Sequence, residues 1–149
     1  MPDPNRVELN RDLLLQRIQE IRGTLGSLRA EAARPRDEFV TDGQAVDATK
    51  YRLVVAIEAA VSICLHVSSR LTARTPESYA DCFNELGDAA ILSSDLAERL
   101  GRMARFRNRL VHLYWRIDNE HLWTILQENL GDLEAYLVAI GRLLDEARP

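Results

Sequence analysis

The stretch Arg107-Asn108-Arg109-Leu110-Val111-His112-Leu113-Tyr114 sets a permanently charged guanidinium five residues ahead of a side chain that titrates near neutral pH. That pair suits phosphodiester chemistry on RNA. A base must take the proton of the ribose 2′-hydroxyl, a cation must stabilise charge on the phosphorus oxygens, and an acid must protonate the departing 5′ oxygen. His112 can act as base or acid, and Arg107 can grip two phosphate oxygens. Asn108, one helical turn before His112, can hydrogen-bond the imidazole or the substrate. No cofactor or metal ion enters this scheme.

The charge distribution singles out the same region. Net charge is −4, yet residues 99–116 hold six arginines (Arg99, Arg102, Arg105, Arg107, Arg109, Arg116) and no acid, which leaves −10 on the remainder. A basic patch on an acidic body suits a polyanion held at one place, with Arg102, Arg105 and Arg109 as candidate RNA contacts. The same arginines could instead form a solvated face paired with acids of neighbouring helices. Leu96, Leu100, Met103, Arg107, Leu110 and Tyr114 share one helical stripe, so Arg107 stands where an apolar residue belongs. Either it is paired or faces an anion-filled cleft, or Phe106 turns inward and Arg107 skirts the core with its head in water. At about 100° per residue, Arg107 and His112 lie roughly 140° apart on one straight helix and cannot converge on a single phosphate. The helix must distort or end near Val111, or a second copy must complete the site across a two-fold axis. The spacing favours a homodimer.

The elements that position these residues read as helices throughout. Leu14, Ile18, Ile21, Leu25 and Leu28 mark a first helix over about 8–31, and Arg34-Pro35 to Asp42-Gly43 breaks it. Leu53, Ile57, Ala60, Cys64, Val67 and Leu71 mark a second over about 45–72, apolar on most other faces and so central. Thr75-Pro76-Glu77 reads as an N-cap with proline at the first helical position, opening a third helix that ends near Gly87. Ser94 or Asp95, with Glu98 following, opens a fourth that runs to Leu110–Tyr114. Asp118-Asn119-Glu120 opens the last, whose stripe is Leu126, Leu130, Leu133, Leu137, Ile140 and Leu144. The expected architecture is all-α, an antiparallel bundle of about five helices forming one domain over residues 1–149.

The string Arg107-Asn108 to His112-Leu113-Tyr114 resembles the R-x(4–6)-H motif of HEPN-domain ribonucleases, with the H-x-Y ending of their HepT-like toxin branch. Ala48-Thr49-Lys50-Tyr51-Arg52-Leu53 and Ala56-Ile57-Glu58-Ala59-Ala60 also resemble the second helix of HepT-like proteins. The resemblance implies a homodimeric endoribonuclease toxin with Arg107 and His112 as catalytic pair and Asn108 as their polar companion. It further implies a partner, an MNT-type nucleotidyltransferase antitoxin that silences the toxin by attaching AMP to Tyr114.

Other features constrain the reading. Cys64 and Cys82 lack C-x-x-C spacing, so neither a disulfide framework nor a zinc site is indicated. Met1-Pro2-Asp3-Pro4 carries no signal-peptide pattern and no apolar run is expected to reach the roughly 18 residues a membrane span needs, which points to the cytoplasm. Glu58, Ser62, His66 and Arg70 form a polar stripe on the second helix that either lines the cleft and pairs with its arginines or is a solvent-facing edge. His121 reads as exposed, and Trp115 and Trp123 suit either base stacking or core packing. Carboxylate pairs with catalytic or metal geometry, Gly-rich phosphate loops and serine or cysteine triads are absent, which argues against kinases, dehydrogenases and metallohydrolases. The competing reading is a non-catalytic helical module that binds a nucleotidyltransferase or nucleic acid. The RNA target is not legible.

Overall fold

The computed structural model describes residues 8–72 and 74–147, and these are helical with no strand. The N-terminal residues Met1 to Pro4 lie outside them. Helix α1 (Arg11–Ala32) begins where the Asn10 side chain accepts the Leu13 N–H at 3.1 Å, three residues later than periodicity alone suggests. All five residues of its expected stripe are buried. The segment read as a breaker contains a single turn, α2 (Arg36–Val40), which drives Phe39 fully into the core. Asp37 and Glu38 in its first turn complement the positive end of the helix dipole.

Helix α3 (Gly43–Leu71) is capped by Asp42, whose carboxylate accepts the Ala45 N–H and a bond from Arg34, each at 3.1 Å. The Ala45 amide first, and then Arg34, hold that carboxyl below its usual range. Contrary to the expectation from sequence, α3 is long and apolar enough to cross a membrane, with a mean hydropathy of 1.5 over its most apolar 18-residue window. In the bundle 56% of that window is buried, and α1, α2, α4, α5 and α6 all pack on it, so it is the core helix.

Helix α4 (Tyr79–Asp88) starts later than Thr75-Pro76 implies. Ser78 accepts the Asp81 N–H at 3.0 Å while Asp81 reaches back to the Glu77 N–H at 2.9 Å, a reciprocal cap that Thr75 and Pro76 do not form. Its C-terminus closes with Ala90 in the left-handed region (φ 61) and a bond from Ile91 N–H to the Leu86 carbonyl, a Schellman turn that brings α4 back along α5 (Ser94–His112). The two helices approach so closely that a Cβ on Gly87 would stand 2.8 Å from that of Ala97. Ser93, one residue ahead of the expected cap, accepts the Leu96 N–H. A short 3₁₀ turn, Tyr114–Arg116, follows α5. The expected last helix is two, α6 (Asn119–Glu128) and α7 (Leu130–Glu146), divided at Asn129. Its six-leucine-and-isoleucine stripe is buried throughout all the same. Tyr136 of α7 is fully buried, donating to the Ala60 carbonyl at 2.9 Å and meeting Phe83 edge-on at 5.6 Å. Cys64 and Cys82 are buried free thiols, and burial pushes the Cys64 thiol well above its usual range.

One cap is pH-sensitive. His66 of α3 accepts the Asn10 backbone N–H at 2.9 Å and so ties the start of α1 to the core helix. Burial, and then the charge of Arg70, hold its imidazole below the ordinary 6.5. The neutral form is favoured in the fold, so its contribution is complete above pH 6.5 and is lost as pH falls through the lower folded value. Amide exchange at Leu13 and Leu14, corrected for intrinsic rates, should accelerate as pH drops from about 7.5 to about 5. His66→Gln keeps an acceptor without the titration, and should abolish that dependence.

Candidate active site

The apolar stripe of α5 brings Arg107 against α3 and α4. Leu96, Leu100, Met103 and Leu110 are buried on that stripe, and Phe106 is buried beside it. Arg107 itself is half-buried, its side chain 19% exposed, and Nε pairs with the Glu58 carboxylate of α3. The two inward candidates therefore coexist. Phe106 fills the core next to His121, and Arg107 runs its stem along the seam to reach an acid. Its NH1 donates to the Asn108 side-chain oxygen at 3.1 Å, and its guanidinium carbon lies 5.7 Å from the centre of the Tyr79 ring. The guanidinium is thus oriented from three sides: by α3 at Nε, by its own helix at NH1, and by the first residue of α4 across its face.

The polar stripe on α3 acts at seams rather than as a bare solvent edge. Glu58 pairs with Arg107, Ser62 accepts from Arg17 Nε at 3.1 Å, and His66 accepts from Asn10, while Arg70 is exposed. Tyr79 was not found from sequence. It sits 28 residues before Arg107 on another helix, and nothing in its local pattern marks it.

His112 is the last residue of α5 and is exposed. The helix ends one residue after Val111, with the Leu113 N–H returning to the Arg109 carbonyl at 2.8 Å, so regular geometry holds from Arg107 to His112 and the angle of roughly 140° persists. Within one chain Arg107 points into the α3–α4 seam and His112 into solvent. The fold does not bring them together on a single face.

Tyr114 opens the 3₁₀ turn and is 57% exposed; its neighbour Trp115, at 65%, meets it edge-to-face at 5.5 Å. The Tyr114 ring is not packed in the bundle, and its hydroxyl has no hydrogen bond among the described residues. Lys50 of α3 donates to its backbone carbonyl at 3.2 Å. With Asp47, Lys50 and Tyr51, the tyrosine lines a shallow groove of about 250 Å³. Trp123 instead packs on Phe39 at 5.5 Å. Arg102, Arg105 and Arg109 are all exposed, on the flank of α5 turned away from Arg107. Among the described residues no group of three or more His, Cys, Asp or Glu side chains could hold a metal ion.

Comparison with known proteins identifies the family. A family model described as ribonuclease HepT-like matches residues 14–140, which takes in both the Glu58 helix and the Arg107–Tyr114 motif. A putative RNase of Archaeoglobus fulgidus is 26% identical over 95% of this chain and its own full length. A tRNA nuclease HepT of Aphanizomenon flos-aquae is 28% identical over 72% of this chain and 74% of its own. The fold superposes with a TM-score of 0.82 on the tri-AMPylated Shewanella oneidensis HEPN toxin solved in complex with an MNT antitoxin, at 22% identity over 89% of this chain and 98% of that one. The chain belongs to the HepT-like ribonuclease family.

Proposed function

We propose that this protein is the endoribonuclease toxin of a toxin–antitoxin pair, acting in the cytoplasm as a single HEPN-like domain over residues 1–149. Its site would be Arg107, Asn108 and His112. The observation that carries the reading is the orientation of Arg107. An ion pair with Glu58 holds the Nε side of the guanidinium and Asn108 accepts one hydrogen bond from NH1, leaving the outer edge for two phosphate oxygens. A charge held in advance where negative charge develops needs no reorganisation during reaction. His112 takes the 2′-hydroxyl proton, the 2′ oxygen attacks phosphorus as the bond to the 5′ oxygen breaks, and the 5′ oxygen leaves with the proton returned by the resulting imidazolium directly or through water, giving a 2′,3′-cyclic phosphate. Arg102, Arg105 and Arg109 carry the flanking backbone.

Because Arg107 and His112 stand roughly 140° apart on one helix, the complete site draws on two copies in a C2 homodimer. Exposed Val111 of α5 and Trp115 just beyond it, with Tyr51 of α3, give that contact its apolar surface. The partner is an MNT-type nucleotidyltransferase. Its target is the Tyr114 hydroxyl, whose oxygen attacks the α-phosphorus of ATP, expels pyrophosphate and loses its proton to solvent. The added phosphate then competes for the arginines that RNA requires.

The protein should cleave single-stranded RNA in the presence of EDTA. Arg107→Ala and His112→Ala should each slow cleavage by about 10²-fold or more, while chelator-sensitive cleavage would overturn the scheme. Sedimentation should give a dimer at micromolar concentration, and Trp115→Asp should shift it toward monomer with a parallel loss of cleavage. Tyr114→Phe should cut RNA at the wild-type rate yet resist silencing on co-expression with the nucleotidyltransferase. Intact-mass measurement should find AMP on the wild-type protein alone.

A further inference from the structure

Between α5 and α6, away from the Glu58–Arg107 seam, lies a groove of about 320 Å³. Its floor is apolar, built from buried Met103, Phe106 and Ile125. Its rim is basic: Arg99, Arg102, Arg105 and Arg109 line it, and no acid does. Two of these charges are already met from outside, Arg99 by Asp95 and by Asp132 at 2.9 Å, and Arg102 by exposed Glu98 at 2.7 Å. The Arg105 and Arg109 side chains have no ion pair or hydrogen bond among the described residues. They stand four residues apart on one helical face, with Cβ atoms about 5–6 Å from each other, close enough to share one phosphate or take two in succession. On the α6 side stands His121, exposed, its ring fixed by an edge-to-face contact with Phe106 at 5.6 Å and 82°.

We propose that this groove is a subsite for one nucleotide of single-stranded RNA beside the cleavage point, with its phosphate on Arg105 and Arg109 and its base over the Phe106 floor against His121. The inference rests on the ribonuclease reading and extends it. A bare anion would leave the apolar floor wet, and a neutral apolar ligand would leave two unpaired guanidinia unused. A nucleotide joins a phosphate to a flat π-face and satisfies both. The volume sits at the low end of ordinary ligand pockets, roughly 300 Å³ upward, which suits one nucleotide and not a duplex. Continuity with the cleavage site follows from helix geometry. Going round α5 from Arg107, His112 comes at roughly 140°, Arg105 at roughly 160° and Arg109 at roughly 200°. Arg109 is also only three residues before His112. A strand with its scissile phosphate at His112 therefore runs directly into the groove.

The test is fluorescence anisotropy with a single-stranded oligonucleotide of about ten residues, 2′-O-methylated throughout, so that it cannot be cut and binding is read whether or not the protein is a nuclease. Failure of the nuclease reading would appear separately, in the Arg107 and His112 variants acting on unmodified RNA. Doubly substituted Arg105→Ala/Arg109→Ala protein should bind about tenfold more weakly, and the slope of log affinity against log salt should flatten by about 0.7, the loss of one neutralised phosphate on a single strand. His121→Ala should weaken binding about fivefold at unchanged salt slope, and His121→Phe should restore it. All three positions are exposed, and thermal melts would verify that the variants stay folded. Wild-type affinity and salt slope in the double variant, or no binding by the unmodified protein, would overturn the proposal. An unaffected His121→Ala would overturn the place given to the base.

Discussion

A helix that is apolar round most of its circumference has to be enclosed, and α3 imposes that condition on every neighbour. Its buried side chains include Leu53, Ile57, Val61, Ile63 and Val67, each contributing about 1.5–3 kcal/mol on leaving water, so no arrangement that leaves α3 open competes. The enclosure is shared among α1, α2, α4, α5 and α6, and Tyr136 of α7 reaches through to the Ala60 carbonyl. Polar groups of α3 that fall at the seams between its neighbours meet partners from other segments there, as Ser62 meets Arg17 and His66 meets Asn10.

Glu58 is the seam group that meets Arg107 of the proposed site. An arginine on the apolar stripe of α5 cannot stay unpaired where its stem is buried, because an uncompensated buried charge costs several kcal/mol. The α3 carboxylate removes that cost and at the same time fixes which edge of the guanidinium faces outward. Tyr79 adds a face-on contact of the kind worth about 0.5–2 kcal/mol, so that rotation of the guanidinium away from this pose loses both interactions. The ion pair that solves the packing problem also orients the guanidinium proposed to bind phosphate.

What could be read from sequence follows from what each signal measures. The stripe of α1, from Leu14 to Leu28, and that of α3, from Leu53 to Val67, are long and regular and were legible as core faces. The division at Asn129 was not, because the stripe Leu126 to Leu144 runs through it in phase and a break of one residue leaves the burial pattern intact. Helix α2 is a single turn anchored by one residue, Phe39, too short for periodicity to register. At α4 the T-P-E signature at Thr75 lost to Ser78 because Asp81 supplies the reciprocal half of the cap. In the proposed site, the motif singled out Arg107, Asn108, His112 and Tyr114, and the stripe on α3 offered Glu58 as a partner. Tyr79 comes from the α4–α5 hairpin, a long-range contact that no local pattern encodes.

The end of α5 shows how one local choice separates three roles. Had the helix continued, Tyr114 would fall seven residues beyond Arg107 on the same buried stripe, out of reach of any modifying enzyme. Leu113 instead leaves helical geometry at φ −135, the chain tightens into the 3₁₀ turn, and Lys50 holds the Tyr114 carbonyl so that the ring swings outward. His112, as the final helical residue, keeps a fixed angular position yet lies beside open solvent. In angle it falls between Arg107, turned toward α3 and α4, and the arginine-lined groove against α6. A strand crossing the exposed side of α5 can therefore meet the groove and the histidine of one chain in succession. It is the angle from Arg107, fixed by regular helix geometry, that calls for a second copy.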